Sequence, residues 1–296
     1  MFKDIENLNI GKVSYNVDLS KYTAYRISAT GAVVVEPTDI DKLKILIKYI
    51  KEKKYKYKIL GNGSNLIFSN TFYDGILIKL SCFNQLDIDG NIITVGAGYN
   101  LMKMSLKCCM MGLSGLEFAT GIPGSVGGSI YMNAGAYNSD ISSVIVSATV
   151  LTPNLDIVIF EKDDFEFDYR NSYFHRHPGY ICLSAVFKLN YGNKNEIMNL
   201  VNDRRNRRII SQPLDYPSAG SVFRNPVGDY AGRLIEAAGY KGKIHGGAQV
   251  STKHANFIIN VGGATGKDIK ELIYDIKDTI KKDYGIDLKV EQEFVE

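Results

Sequence analysis

Apolar residues recur along this chain with two periods. After Pro37-Thr38-Asp39, Ile40, Leu43, Ile47 and Ile50 form a 3.6-period stripe with lysines opposite. That spacing predicts an N-capped amphipathic helix of about 15 residues. Lys58-Ile59-Leu60 reads as a short strand running into Gly61-Asn-Gly-Ser-Asn65. Ile76–Leu80 and Ile92–Val95 read as strands, and Leu101–Met111 as a helix with Gly112 at its C′ position. Further strands are expected at Val144–Leu151, Ile157–Phe160 and Ile181–Leu189; the last alternates as a half-buried strand does.

A helix over Asn195–Arg208 marks a boundary, followed by a long loop at Ser211–Pro226. Next come a short helix near Arg233–Ala238, a strand over Asn256–Val261 and a helix opened by the T-x-x-D box Thr265–Asp268. Ile269, Leu272, Ile273, Ile276 and Ile280 share one face of that helix, and Gly285 ends it. Ile286–Val295 reads as one terminal strand, with Ile286, Leu288, Val290 and Phe294 on one side and Asp287, Lys289, Glu291 and Glu293 on the other. Helices and strands mix without strict βαβ alternation, so the expected class is α+β.

Composition narrows the function. The 296 residues are 45% hydrophobic and 23% charged, as in a soluble globular protein of about two domains. A net charge of +3 is too small to mark a nucleic-acid binder. No apolar run reaches the roughly 20 residues of a membrane helix, and the opening MFKDIENLN has no apolar signal core. The four cysteines lack metal-ligand spacing and fit a reducing compartment, so a cytoplasmic location is expected. His175, His177, His245 and His254 show neither metal nor triad spacing, and no metal is expected.

Three glycine clusters stand out: Gly61-Asn-Gly63, Gly96-Ala-Gly98 and Gly121-Ile-Pro-Gly-Ser-Val-Gly-Gly128. None completes G-x-G-x-x-G, because Leu66 and Leu101 occupy the third position of the first two, and there is no P-loop. Each cluster is either a turn between strands or a nest whose backbone N–H groups receive phosphate oxygens. Their number favours a phosphate-bearing cofactor outside the Rossmann pattern.

Six ordered blocks then become specific. They are Gly61–Leu66, Gly115–Gly128, Tyr131-Met-Asn-Ala-Gly-Ala-Tyr137, Asp168-Tyr-Arg-Asn-Ser172, Gln212–Pro226 and Gly246–Ala255. Together they closely resemble the UDP-N-acetylenolpyruvoylglucosamine reductases, the MurB flavoenzymes of peptidoglycan synthesis, from about Thr23 to Glu291. The resemblance implies an FAD-binding domain of the vanillyl-alcohol-oxidase type over 21–191, with subdomains at about 21–80 and 81–191, and a substrate domain over 195–296. It implies reduction of the enolpyruvyl group of UDP-N-acetylglucosamine enolpyruvate through bound FAD, with NADPH as donor. The two substrates would use one pocket in turn, with no nucleic-acid or membrane partner.

The same resemblance assigns residues. Arg170 matches the arginine that meets charge developing on the substrate carboxylate, a task for which a guanidinium fork is suited. Ser221 matches the proton donor, although chemistry alone does not separate it from Ser218. Glu291 matches the C-terminal glutamate; without the motif Glu293 is its equal. Cofactor contacts fall on Arg26, Gly61, Asn62, Gly63, Ser64, Asn65, Gly121, Ile122, Pro123, Gly124, Ser125 and Gly127, and substrate contacts on Tyr169 and Asn225. Arg204–Arg208 is either a diphosphate-attracting run or a solvated helix end. The chain departs from the family pattern at Ser211, where a lysine is usual, at Ser28-Ala29 for Gly-Gly and at Thr120 for cysteine. The Arg233–His245 stretch is short, so the tyrosine-bearing insertion of longer members is absent.

Overall fold

A computed structural model describes residues 2–296. Its contacts cluster into two compact units, neither continuous in sequence. Unit 1 holds residues 2–14, Val33–Asn62 and Gly75–Asn206; unit 2 holds Tyr15–Ala32, Gly63–Asp74 and Arg207–Glu296.

In unit 1 the first helix, α1 (Ile40–Lys53), starts where the Asp39 carboxylate accepts the Lys42 N–H at 2.8 Å. It buries Leu43, Leu46, Ile47, Tyr49 and Ile50. Tyr57–Leu60 pairs in parallel with the end of Phe72–Lys79, Tyr57 opposite Ile76 and Leu60 opposite Lys79. A five-stranded antiparallel sheet follows, in the order Ile157–Glu161, Ile145–Leu151, Ile181–Lys188, Ile92–Gly96, Leu86–Asp89. Ile181, Leu183, Ala185 and Phe187 are buried as their spacing predicted, although Cys182 on the other face is buried too, so the strand alternates only from Leu183 onward. Helix α2 (Leu101–Met110) buries Leu101, Met104, Cys108 and Cys109, and Gly112 follows it at φ 79°. Two short helices, α3 (Val126–Tyr131) and α4 (Tyr173–Arg176), carry motif residues. Helix α5 (Lys194–Ser211) is mostly exposed, and its buried Ile197 and Val201 pack on Cys109.

Unit 2 contains α6 (Ala231–Ala237), α7 (Gly266–Tyr284) and an antiparallel sheet of Ile244–His245, Ala248–Val250 and Ile258–Asn260. The expected capping box opens α7: Thr265 Oγ1 accepts the Asp268 N–H at 3.1 Å, and the Asp268 carboxylate accepts the Thr265 N–H at 2.9 Å. Gly285 ends the helix at φ 70°. Glu293–Val295 pairs in parallel with Leu66–Phe68, against which α7 packs.

The terminal segment departs from the single alternating strand expected over Ile286–Val295. Val290 forms an isolated bridge with Phe223, whereas only Glu293–Val295 is a strand, paired with Leu66–Phe68. The chain changes partner between these positions, so the buried residues become Leu288, Gln292 and Val295 instead of every second residue.

Candidate active site

Unit 1 joins two motif blocks. Asp168 and Asn171 exchange backbone hydrogen bonds at 3.1 Å, leaving Tyr169-Arg170 at the tip of a two-residue loop. Such a tip requires left-handed backbone, and Arg170 has φ 55°. The half-buried Arg170 guanidinium donates to the carbonyls of Asn133 and Gly135 and lies 5.2 Å from the centroid of the exposed Tyr169 ring. Asn133 is 2% exposed and explains how the blocks meet. Its Nδ2 donates to the Asp168 carbonyl at 3.1 Å and to Asp140 Oδ2 at 3.2 Å, and its Oδ1 accepts the Ser142 N–H. Ser172 adds a hydroxyl bond to the Tyr131 carbonyl at 2.7 Å. Gly135 is required here, because a Cβ would stand 2.5 Å from the Ser139 carbonyl oxygen.

The glycine clusters of unit 1 also converge. A Cβ on Gly61 would lie 2.7 Å from Ser125 Oγ, and one on Gly127 would lie 2.9 Å from Ala97 Cβ. The Gly127 N–H donates to the Ala97 carbonyl at 2.8 Å, and Leu101 N–H to the Gly124 carbonyl at 3.0 Å. Ser125 caps α3 by accepting the Gly128 N–H. The backbone N–H groups of Gly61, Asn62, Gly124 and Ser125 find no protein acceptor among the described residues, and Gly124 and Ser125 are buried. An unpaired N–H away from water costs about 1–3 kcal/mol, so the buried donors of Gly124 and Ser125, with Gly61 beside Ser125, fit the phosphate oxygens of a dinucleotide such as FAD.

Unit 2 gathers the other assigned groups. Ser221 bridges Phe257, and Phe223 bridges Val290. Val222 N–H donates to the Asn256 carbonyl at 2.9 Å, and Glu291 N–H to the Val222 carbonyl at 2.8 Å. The Glu291 backbone is thus bonded to the residue that follows Ser221. Asn65, from the first glycine block, donates Nδ2 to the Glu291 carbonyl at 3.0 Å and accepts the Glu293 N–H on its own carbonyl at 2.9 Å. Its side chain therefore ties down the glutamate segment, a role that the glycine pattern did not suggest. In the same block, Gly63 is held at φ 62° with its carbonyl on the Ala24 N–H. Arg26, also left-handed at φ 51°, lines a cavity of about 530 Å³ with Asp18, Ser20, Ser28, Thr30 and Thr71. Asn225 is exposed and its Oδ1 accepts the Ala231 N–H at 3.1 Å, which fixes the start of α6 and leaves the amide NH₂ as its outward donor.

Two assignments on α5 are now defined. Arg204 lies 4.7 Å from the Tyr137 ring centroid, and Tyr137 donates its hydroxyl to the Arg204 carbonyl. The Ser211 hydroxyl bonds back to the Arg207 carbonyl at 2.8 Å. Sequence reasoning missed the buried amides of Asn256, Asn260 and Gln292, which organise unit 2; polar residues inside apolar stretches were the available signal. Among the described residues no three His, Cys, Asp or Glu side chains are placed to hold a metal ion, and no helix is long and apolar enough to cross a membrane.

Residues 31–160 match the family model of an FAD binding domain, and 212–295 match that of the UDP-N-acetylenolpyruvoylglucosamine reductase C-terminal domain. The molecule is an α+β FAD-dependent oxidoreductase with a flavin domain of the vanillyl-alcohol-oxidase type. A UDP-N-acetylenolpyruvoylglucosamine reductase of Halalkalibacterium halodurans is 42% identical over all of this chain and 98% of its own length. That of Bacillus subtilis is 38% identical with the same coverage. The crystal structure of the Thermus caldophilus enzyme superposes with a TM-score of 0.82 at 30% identity, covering 96% of this chain and 98% of that one. This chain belongs to the UDP-N-acetylenolpyruvoylglucosamine reductase family.

Proposed function

We propose that Arg170, Ser221 and Glu291 carry the chemical step of the family reaction. That reaction is the NADPH-dependent reduction of UDP-N-acetylglucosamine enolpyruvate to UDP-N-acetylmuramate. Bound FAD supplies the hydride chemistry between the two substrates. Hydride arriving at the terminal enol-ether carbon drives an electron pair toward the carboxylate, and the neighbouring carbon then needs a proton. Arg170 is suited to the first demand, because its guanidinium is held by two carbonyls and offers a planar fork of donors that matches a carboxylate. Ser221 meets the second: a hydroxyl is a weak acid, but an enolate carbon is basic enough to take its proton. Glu291 would hold a water or a hydrogen bond near the carboxylate. The observation that supports this reading is the hydrogen bond from the Glu291 N–H to the carbonyl of Val222, the residue that follows Ser221.

The cofactor would be held by the unpaired N–H groups at Gly61, Asn62, Gly124 and Ser125, with Arg26, Gly63, Ser64, Asn65, Gly121, Ile122, Pro123 and Gly127 completing the set. Tyr169 and Asn225 would touch the sugar nucleotide. NADPH and the enolpyruvyl substrate would occupy one pocket in turn, in a cytoplasmic enzyme whose flavin domain is 21–191 and substrate domain 195–296. Stopped-flow absorbance separates the two halves of the reaction. Ser221→Ala should leave flavin bleaching by NADPH unchanged and slow the return of colour with substrate by about 10²–10⁴-fold. Equal slowing of both halves would remove Ser221 from the proton-donor role.

A further inference from the structure

Gln292 sits next to Glu291, 4% exposed, in a position that an apolar residue would ordinarily fill. Its Nε2 donates to three consecutive carbonyls, Ala219 at 3.1 Å, Gly220 at 3.3 Å and Ser221 at 3.4 Å. Its Oε1 accepts the Tyr25 hydroxyl at 2.9 Å. Consecutive carbonyls of an extended chain point to opposite sides, so three cannot normally face one donor. The left-handed φ of 77° at Gly220 breaks that alternation and curls the segment around the amide. Tyr25 is fully buried, and burial pushes its phenol up, so it stays an O–H donor at any working pH. One donor on one side and three acceptors on the other leave the Gln292 amide a single orientation. The far end of the network is also fixed, since Asn260 Nδ2 donates to the carbonyls of Tyr25 at 2.9 Å and Arg26 at 3.4 Å.

We propose that Gln292, oriented by the Tyr25 hydroxyl, is a positioning residue for the proton transfer from Ser221. It holds the Ala219–Ser221 turn by its carbonyls, while the Asn256 amide holds the chain two residues on by accepting the Phe223 N–H at 3.0 Å and donating to the Phe223 carbonyl at 2.8 Å. Ser221 is thereby clamped on both sides. The Gln292 side chain joins the glutamate segment to the Ser221 turn and to Tyr25, so removing the amide would free Ser221 without touching substrate. This rests on the reading of Ser221 as the proton donor.

The test uses the holoenzyme and four variants. Gln292→Met keeps length and apolar bulk but deletes both polar ends of the amide. Deuterium uptake by backbone in the Pro217–Phe223 peptide should rise, NADPH-driven bleaching should stay within about twofold, and recolouring by substrate should slow roughly 10–100-fold, the scale of a small misplacement of a reacting group. A Gln292→Met/Ser221→Ala double variant should be no slower than Ser221→Ala alone, because a displaced donor and an absent one are the same defect. Parental recolouring in Gln292→Met beside a slow Ser221→Ala would overturn the positioning role and leave the Ser221 reading intact. A Ser221→Ala protein at the parental rate would overturn that reading itself, and this proposal with it. Should Gln292→Met fail to fold, Tyr25→Phe removes only the orienting hydroxyl; about threefold slower recolouring supports the network, and unchanged recolouring overturns it.

Discussion

In unit 1 the Arg170 head group itself donates to the carbonyls of Asn133 and Gly135, whereas in unit 2 Ser221 and Glu291 are gripped through their main chain. Left-handed backbone is placed differently as well. Around the Arg170 site it falls on the non-glycine residues Asn133, Tyr137, Asn138 and Arg170, while the Ser221 turn takes it on Gly220. The contrast fits the roles proposed for these groups. A fixed positive charge is useful only if aimed, so its own donors are anchored and local strain is tolerated. A hydroxyl that hands over a proton must keep its own rotation, so its backbone is immobilised instead. Buried amides serve both ends: Asn133 in one unit, Asn256 and Gln292 in the other.

The largest effect that tests this contrast is at Arg170. Arg170→Lys keeps the charge but loses the fork that reaches two carbonyls at once. Recolouring by substrate should fall about 10²–10³-fold, the usual size of one lost charge-stabilising contact, with folding preserved in circular dichroism. A lysine variant close to parental activity would mean that anchoring the head group is irrelevant. Next in size is Asn133→Ala. It leaves the Asp168 carbonyl and the Ser142 N–H without the Asn133 amide, and it places a Cβ-only residue at φ 42°. Unfolding in urea should show a loss of about 2–4 kcal/mol. A smaller loss with unchanged kinetics would show that the two motif blocks meet without that amide.

Local features of this architecture were open to sequence reasoning because they depend on neighbours in the chain. Asp39 and the Thr265–Asp268 box cap the helices that they were expected to cap, and Leu183–Lys188 alternates as its pattern required. What lay beyond reach depends on contacts between distant segments. Nothing in the period of 63–74 says that it clusters with 207–296. Likewise, nothing in the alternation of 286–295 announces the change of partner from Phe223 to Leu66. Asn65 shows the difference within one residue: its motif marks the glycine block, but its amide turns to the Glu291 carbonyl 226 residues away. The alternation over 286–295 assigns nothing to Gln292, and only its burial against three carbonyls gives it a task.

The smallest expected effect is a pH dependence confined to unit 2. His254 Nδ1 accepts the Asn256 N–H at 3.2 Å, its ring meets Phe257 edge-on at 4.9 Å, and burial lowers its pKa below the ordinary value of 6.5. The native state therefore favours the neutral ring. Its contribution is complete above pH 6.5, and it declines as the pH falls from there through the lowered native value, because the unfolded chain takes up the proton first. Protonation at Nδ1 would also replace the acceptor facing Asn256 with a second donor, loosening the amide that clamps Phe223 beside Ser221. Lys241 adds to the depression and Glu236 opposes it, so neutralising Glu236 should widen the window. Urea unfolding at pH 7.5 and 5.5 should show the parent losing stability and His254→Gln losing less, since an amide does not titrate. If the two proteins lose equally, the acid sensitivity lies elsewhere and the Asn256 clamp does not depend on the state of this ring.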